Sequence, residues 1–181
     1  MEFLSEGTLI TLEDGSSKAI EELKVGDEVQ TYEMGDEDFD MAHIEVNPRS
    51  IGVIDEVVVG DIEDNISEIS FNNDSSLIVT NNYPIYGADE GEGWISVDGV
   101  EMDPDSDDER IGIYGKLDVK SEAFLHSEIG SDAALSGFSS LEDGVFVESI
   151  EAVEKSIKMY SIILENGQSI FANNILVSTG E

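Results

Sequence analysis

Phe3–Val29 reads FLSEGTLITLEDGSSKAIEELKVGDEV, and its punctuation sets how the rest of the chain is read. A β-prone run, Thr8–Thr11, ends at Glu13-Asp14-Gly15, a turn signal. Lys18–Leu23 reads as a helical turn, because Ile20 and Leu23 fall on one face. Gly26-Asp27 then closes one strand and opens another. Leu9, Ile10, Ile20, Leu23, Val25 and Val29 are expected to supply one side of a core. At the far end, Glu165–Thr179 reads ENGQSIFANNILVST. Its Ile170, Phe171, Ile175, Leu176 and Val177 are expected to bring the C-terminus back beside the N-terminus.

The intervening apolar segments are short and many are β-branched: Ile51–Val59, Ile66–Phe71, Leu77–Thr80, Trp94–Val97, Val145–Val153 and Met159–Leu164. Turn residues separate them, and short strands at near-regular spacing predict an all-β domain. Asn72-Asn73-Asp74 and Asn166-Gly167 each lie between two β-rich runs, which predicts two hairpins. Glu68–Asn81 echoes Ser161–Asn174, and Leu23–Val29 echoes Leu117–Ala123. Two halves related by internal pseudo-symmetry would account for both pairs. The chain reads as one domain over 1–181, with surface loops near 98–109 and 125–144 and no domain linker.

Composition narrows the partners. Forty-two acidic residues face eight basic ones, a formal net charge of −34. Phosphate backbones and anionic membrane surfaces would be repelled, so neither nucleic acid nor membrane is expected as a partner. Basic protein surfaces and divalent cations fit; a high-salt host with acidic proteins throughout is the bland alternative. The absence of cysteine removes disulfides, thiolate nucleophiles and Cys-based zinc sites. No secretion signal and no run of about 18 apolar residues stands in the sequence, so a soluble protein made without export is expected.

With those residues in view, the chain resembles a Hint domain, the fold of inteins and hedgehog autoprocessing modules. The family's first block runs Cys, an apolar residue, two variable positions, Gly-Thr, a strand, Asp-Gly, then Ile-x-x-Leu-x-x-Gly-Asp-x-Val. Here Gly7-Thr8, Asp14-Gly15, Ile20, Leu23, Gly26-Asp27 and Val29 match, and Phe3 stands where Cys belongs. Thr80-Asn81-Asn82-Tyr83-Pro84 falls where the family has Thr-x-x-His-Pro. Phe171-Ala172-Asn173-Asn174-Ile175-Leu176-Val177-Ser178-Thr179 resembles the last block, which ends Phe-Ala-Asn-Gly-Ile-Leu-Val-His-Asn. The resemblance implies a Hint-like, intein-type horseshoe with pseudo-two-fold halves and the two termini close together.

It also implies a chemistry whose groups are missing. Autoprocessing of this kind starts with an acyl shift onto a thiol or hydroxyl, and Phe3 carries neither. A His would protonate the leaving amide nitrogen; Tyr83 stands there, with an ordinary pKa near ~10. Ser178 and Thr179 fill the places of the last His and the cyclising Asn, and Gln168 fills a further place where relatives often carry His. Thr80 alone is retained. The sequence reading is therefore a catalytically degenerate Hint domain that is not an enzyme and needs no cofactor or metal.

What remains is weaker. His43 and His126 stand alone in polar stretches, and no serine has a His partner at triad spacing. Asp103, Asp105, Asp107 and Glu109 alternate as a calcium loop's oxygens can, but Asp108 and Tyr114 break the EF-hand pattern. Phe138 and Leu141, in the acid-poor stretch Leu125–Gly144, are candidates for docking. With two residues before Phe3 and two after Thr179, no flanking segment to be joined is expected. The resulting expectation is a structural protein of a tailed-phage virion, a capsid-decorating, neck or tail accessory subunit. It would dock on other virion proteins through a basic partner surface; outside a virion it would be cytoplasmic. The alternatives are an autoprocessing element with altered nucleophiles, and a module that binds cations or basic partners.

Overall fold

Gly15 and Gly26 set the course of the first strands. Their φ angles of +87° and +93° are open to glycine and strained for other residues. The computed structural model describes residues 2–32, 49–87, 93–99, 115–119, 121–123, 145–166 and 169–179. Within them β1 (Leu4–Ser5), β2 (Leu9–Thr11) and β3 (Ser17–Ala19) lead into a single 3₁₀ turn, Ile20–Glu22, where the sequence predicts a helical turn. Then come β4 (Glu28–Tyr32), β5 (Arg49–Ile62), β6 (Ile66–Phe71), β7 (Ser76–Thr80), β8 (Ile85–Gly87) and β9 (Gly93–Ser96). β10 (Gly115–Lys116), β11 (Glu122–Ala123), β12 (Val145–Val153), β13 (Ile157–Leu164), β14 (Ser169–Ala172) and β15 (Ile175–Ser178) complete the order.

All fifteen strands join one sheet, in the order β3-β2-β14-β15-β8-β11-β12-β6-β7-β1-β13-β5-β4, with β9 on β8 and β10 on β9. The sheet curls on itself. Val29 of β4 bridges to Leu12, and the Thr31 and Ser169 hydroxyls meet at 3.2 Å. This is the all-β Hint horseshoe that the sequence predicts. Ile10, Ile54, Ile69, Val79, Ile170, Ile175 and Val177 are fully buried inside the curl. Leu9 and Val25, expected in that core, are instead 46% and 67% exposed. Leu9 precedes buried Ile10 on its strand and so faces the other side; Val25 lies in the turn before Gly26.

The two halves exchange their long strands. β5 runs directly into β6 but pairs with β13, whereas β12 runs into β13 but pairs with β6. The echo between residues 23–29 and 117–123 is structural. Lys24 N–H donates to the Asp27 carboxylate at 2.9 Å, and Asp118 N–H donates to the Ser121 hydroxyl at 3.0 Å. Asp27 O accepts from Ile54 N–H at 3.0 Å, as Ser121 O does from Val147 N–H at 2.9 Å. Leu23 and Leu117 are buried at matching places. Accepting the Lys24 amide, with help from Lys18, holds the Asp27 carboxyl below its usual range.

One of the two predicted hairpins is not formed. β6 and β7 pair across Asn72-Asn73-Asp74, with Asp74 at φ +66°. β13 and β14 do not pair with each other: β13 lies between β1 and β5, and β14 between β15 and β2. A turn signal marks where the chain bends, and burial then decides which strands meet.

Candidate functional site

The loop between β7 and β8 reaches both ends of the chain. On the N-terminal side, Phe3 N–H donates to Thr80 Oγ1 at 3.0 Å. Thr80 N–H returns a bond to Phe3 O at 3.1 Å. On the C-terminal side, the Tyr83 hydroxyl donates to Ser178 O at 2.5 Å, and Ser178 N–H donates to Pro84 O at 3.0 Å. A turn closed by Tyr83 N–H on Thr80 O, at 2.9 Å, fixes the two residues relative to each other. Val177 pairs with Ile85 just beyond, so β15 is anchored beside the loop. Three stretches that lie far apart in sequence thus share one site: Phe3, Thr80 with Tyr83, and Ser178 with Thr179.

The site is dry. Tyr83 is 2% exposed, and Thr80 and Thr179 are buried. Burial drives the Tyr83 phenol far above its usual pKa, and the nearby Glu2 charge adds to the rise. Tyr83 is therefore a neutral hydrogen-bond donor at any ordinary pH. It holds a carbonyl but has no tendency to exchange its proton. The Ser178 hydroxyl turns away to donate to Thr179 O at 3.0 Å.

Two further residues bear on this region: Asn173, matched to the last block in the sequence, and Ser161, which the sequence did not single out. Asn173, at φ +48°, donates its amide N–H to Leu9 O and accepts Leu9 N–H on Oδ1, both at 2.8 Å. Its Nδ2 donates to Ser76 O at 2.7 Å, so one side chain ties the first and last blocks to β7. Ser161 is the other. β1 pairs with β13 as Leu4↔Tyr160 and Ser5↔Met159, and that register places Ser161 opposite Phe3. Its hydroxyl is buried and has no hydrogen-bond partner among the described residues. A lone serine within the otherwise apolar run 159–164 was the available signal.

Gln168, His43 and His126 lie outside the described residues, as do Asp103, Asp105, Asp107 and Glu109 and the docking candidates Phe138 and Leu141. Among the described residues no group of three His, Asp or Glu is placed to hold a metal.

No protein-family model matches the sequence, and no curated protein matches it. Solved structures do match the fold over its whole length. A bacterial intein-like domain from Clostridium thermocellum is 18% identical, with TM-score 0.64 and 99% of each chain covered. A DnaB intein from Synechocystis sp. PCC 6803 is 14% identical, with TM-score 0.66 and all of both chains covered. The gp41-1 intein is 12% identical, with TM-score 0.62 and 99% of each covered. At such identities the likeness establishes the Hint-type fold. It also corrects the expectation that the chain is not an enzyme. The structures that share its fold are inteins, self-splicing proteins, so a reading from side-chain identities alone does not set this chain outside their class.

Proposed function

We propose that the chain works as a Hint-fold interaction module that holds the backbone entering at Phe3 beside the backbone leaving at Thr179, and so fixes its place in a larger protein assembly. The observation that carries the reading is the double grip of the β7–β8 loop. Thr80 bonds both backbone groups of Phe3, while Tyr83 and Pro84 bond both backbone groups of Ser178. Four hydrogen bonds, in a buried setting, go to backbone rather than to any side chain. Such contacts set position. The assembly we favour is a tailed-phage virion, with basic surfaces on neighbouring subunits meeting this acidic one.

Two measurements test this reading. Halves of a split fluorescent protein, fused to the two ends, should reassemble on the folded chain; absence of signal refutes the side-by-side ends. Mass spectrometry of purified particles should find the chain at fixed copy number, and its absence removes the virion placement.

A second reading, an autoprocessing element with altered nucleophiles, has its own observation. The amide of Phe3 is already held by a hydroxyl acceptor, and strand register carries Ser161, whose buried hydroxyl has no partner among the described residues, to the position across from Phe3. The chain fused between two reporter proteins, incubated and weighed intact, decides this reading. A shortened or ligated product supports it, and an unchanged mass removes it.

A further inference from the structure

We propose that the outer edge of β5, residues 57–61, is a docking site for an extended, basic segment of a partner protein that adds to the sheet as one more strand. This deepens the interaction-module reading above but rests on separate observations, the strand register and the local charge.

The register identifies which backbone groups are free. Residues 49–53 of β5 pair with β4, and from Ile54 onward β5 pairs only with β13 among the described residues. Glu6 N–H donates to Lys158 O at 3.0 Å, so Lys158 and, two residues on, Tyr160 turn their backbone groups toward β1. Met159 and Ser161 must then turn theirs toward β5, where they face Gly60 and Val58. By the same alternation Val57, Val59 and Asp61 direct their N–H and C=O groups away from the sheet. None of those groups has a partner among the described residues.

The side chains make this edge adhesive. Val57 and Val59 share the face of Ile162 and Tyr160, their partners on β13. Val57 packs against the core, while Val59 is 51% exposed. Residues 57–60 read Val-Val-Val-Gly, with no lysine or proline to blunt the edge, and the one register shift of β5 against β13 falls before them, between Ile54 and Glu56. A fitting strand would cover Val59 and bond the three outward residues, which is recognition by strand addition.

Charge selects the occupant. Asp55, Glu56, Asp61, Glu63 and Asp64 bracket the apolar run, against Lys155 and Lys158. A second copy, itself at −34, would lay the same carboxylates against these. A segment with β-branched residues alternating at its centre and lysine or arginine at its ends meets both features.

The probe is a fluorescein-labelled peptide, Lys-Lys-Val-Thr-Val-Thr-Lys-Lys, followed by anisotropy at low salt and by residue-resolved amide exchange. In the free chain the amides of Val58 and Gly60 should exchange slowly and those of Val57, Val59 and Asp61 fast. Peptide should slow the latter three at least tenfold. A glutamate-ended peptide, and one N-methylated on its strand-facing amides, should each bind at least tenfold more weakly. Val59→Pro, which deletes one outward N–H, should abolish binding; Val59→Lys, which keeps the backbone, should weaken the basic peptide by charge and shape. Four results would overturn the proposal: the outward amides already protected in the free chain, their protection by dimerisation, peptide binding that leaves them unprotected, or equal binding of the N-methylated peptide. The split-reporter signal does not depend on this edge, so the two readings fail separately.

Discussion

Replacing Tyr83 with Phe keeps the buried ring and removes one hydroxyl, which isolates the bond to Ser178. In the wild type that hydroxyl is the donor to the Ser178 carbonyl inside a site where Tyr83 is 2% exposed. Water has little access to replace it, so the carbonyl loses a partner. Such a loss costs about 1–3 kcal/mol. In a protein of this size about 1 kcal/mol moves the midpoint by about 2–4 °C, so Tm should fall by about 2–12 °C. The alkaline limb gives a second readout. Burial and Glu2 raise the folded phenol above the unfolded one, so its contribution is intact below the ordinary tyrosine range and is lost as pH rises beyond it. Above pH ~10 the unfolded chain releases this proton while the folded chain retains it, and stability falls by about 1.4 kcal/mol per pH unit from this group. Tyr83→Phe should lower Tm at neutral pH and flatten that fall. Chemical denaturation at pH 7 and across pH 9.5–11 measures both. An unchanged midpoint together with an unchanged alkaline slope would refute the reasoning.

Asn173→Ala removes two side-chain hydrogen bonds and leaves a non-glycine residue at φ +48°, and should cost about 2–4 kcal/mol by denaturant titration. Asn174→Gly, at φ +66° on the next residue, should be neutral or stabilising by comparison. Glu13 is held above its usual pKa by a hydrogen bond and charge repulsion from Glu28, so Glu13 favours folding when protonated and loses that contribution as pH rises. Glu28→Gln should therefore raise Tm at pH 7 and leave it unchanged near pH 4, as scanning calorimetry will show. Sodium chloride from about 0.01 to 1 M shortens screening from about 30 to about 3 Å and should raise Tm of this chain at −34; a flat response counts against self-repulsion.

Much of the fold was legible because its turns carry their chemistry on the surface of the sequence. Asp14-Gly15, Gly26-Asp27 and Asn73-Asp74 all bend the chain where they were expected to, and residues 66–71 and 145–153 form strands with the expected bounds. What the sequence hid was long-range. β5 reads as one β-rich run, yet its first part pairs with β4 and the remainder with β13, an exchange that no local pattern encodes. The same ambiguity produced the second hairpin: Asn166 sits in a bend, but burial sends β14 to β15 and β2 rather than back along β13. Leu9 read as core because composition cannot tell which side of a short strand faces inward, and Val25 because an apolar residue in a turn looks the same as one in a strand.

The site divides along the same line. Phe3, Thr80, Tyr83 and Ser178 meet around the β7–β8 loop. The contacts that hold the site all end on the backbone of Phe3 and Ser178, and a backbone target has no signature in a side-chain motif. Thr80 grips the N–H and C=O of Phe3, which any residue there would supply, through its Oγ1 and its own N–H, and the Tyr83 hydroxyl donates to Ser178 O. Judging chemistry by side chains alone therefore gives too strong a negative. The amide of Phe3 is held whatever stands at its Cα, and Ser161, with its unpartnered buried hydroxyl, comes across from Phe3 only through strand register. Positioning and reactivity are written in different parts of this sequence: the first in turns and strand pairs, the second in a handful of side chains.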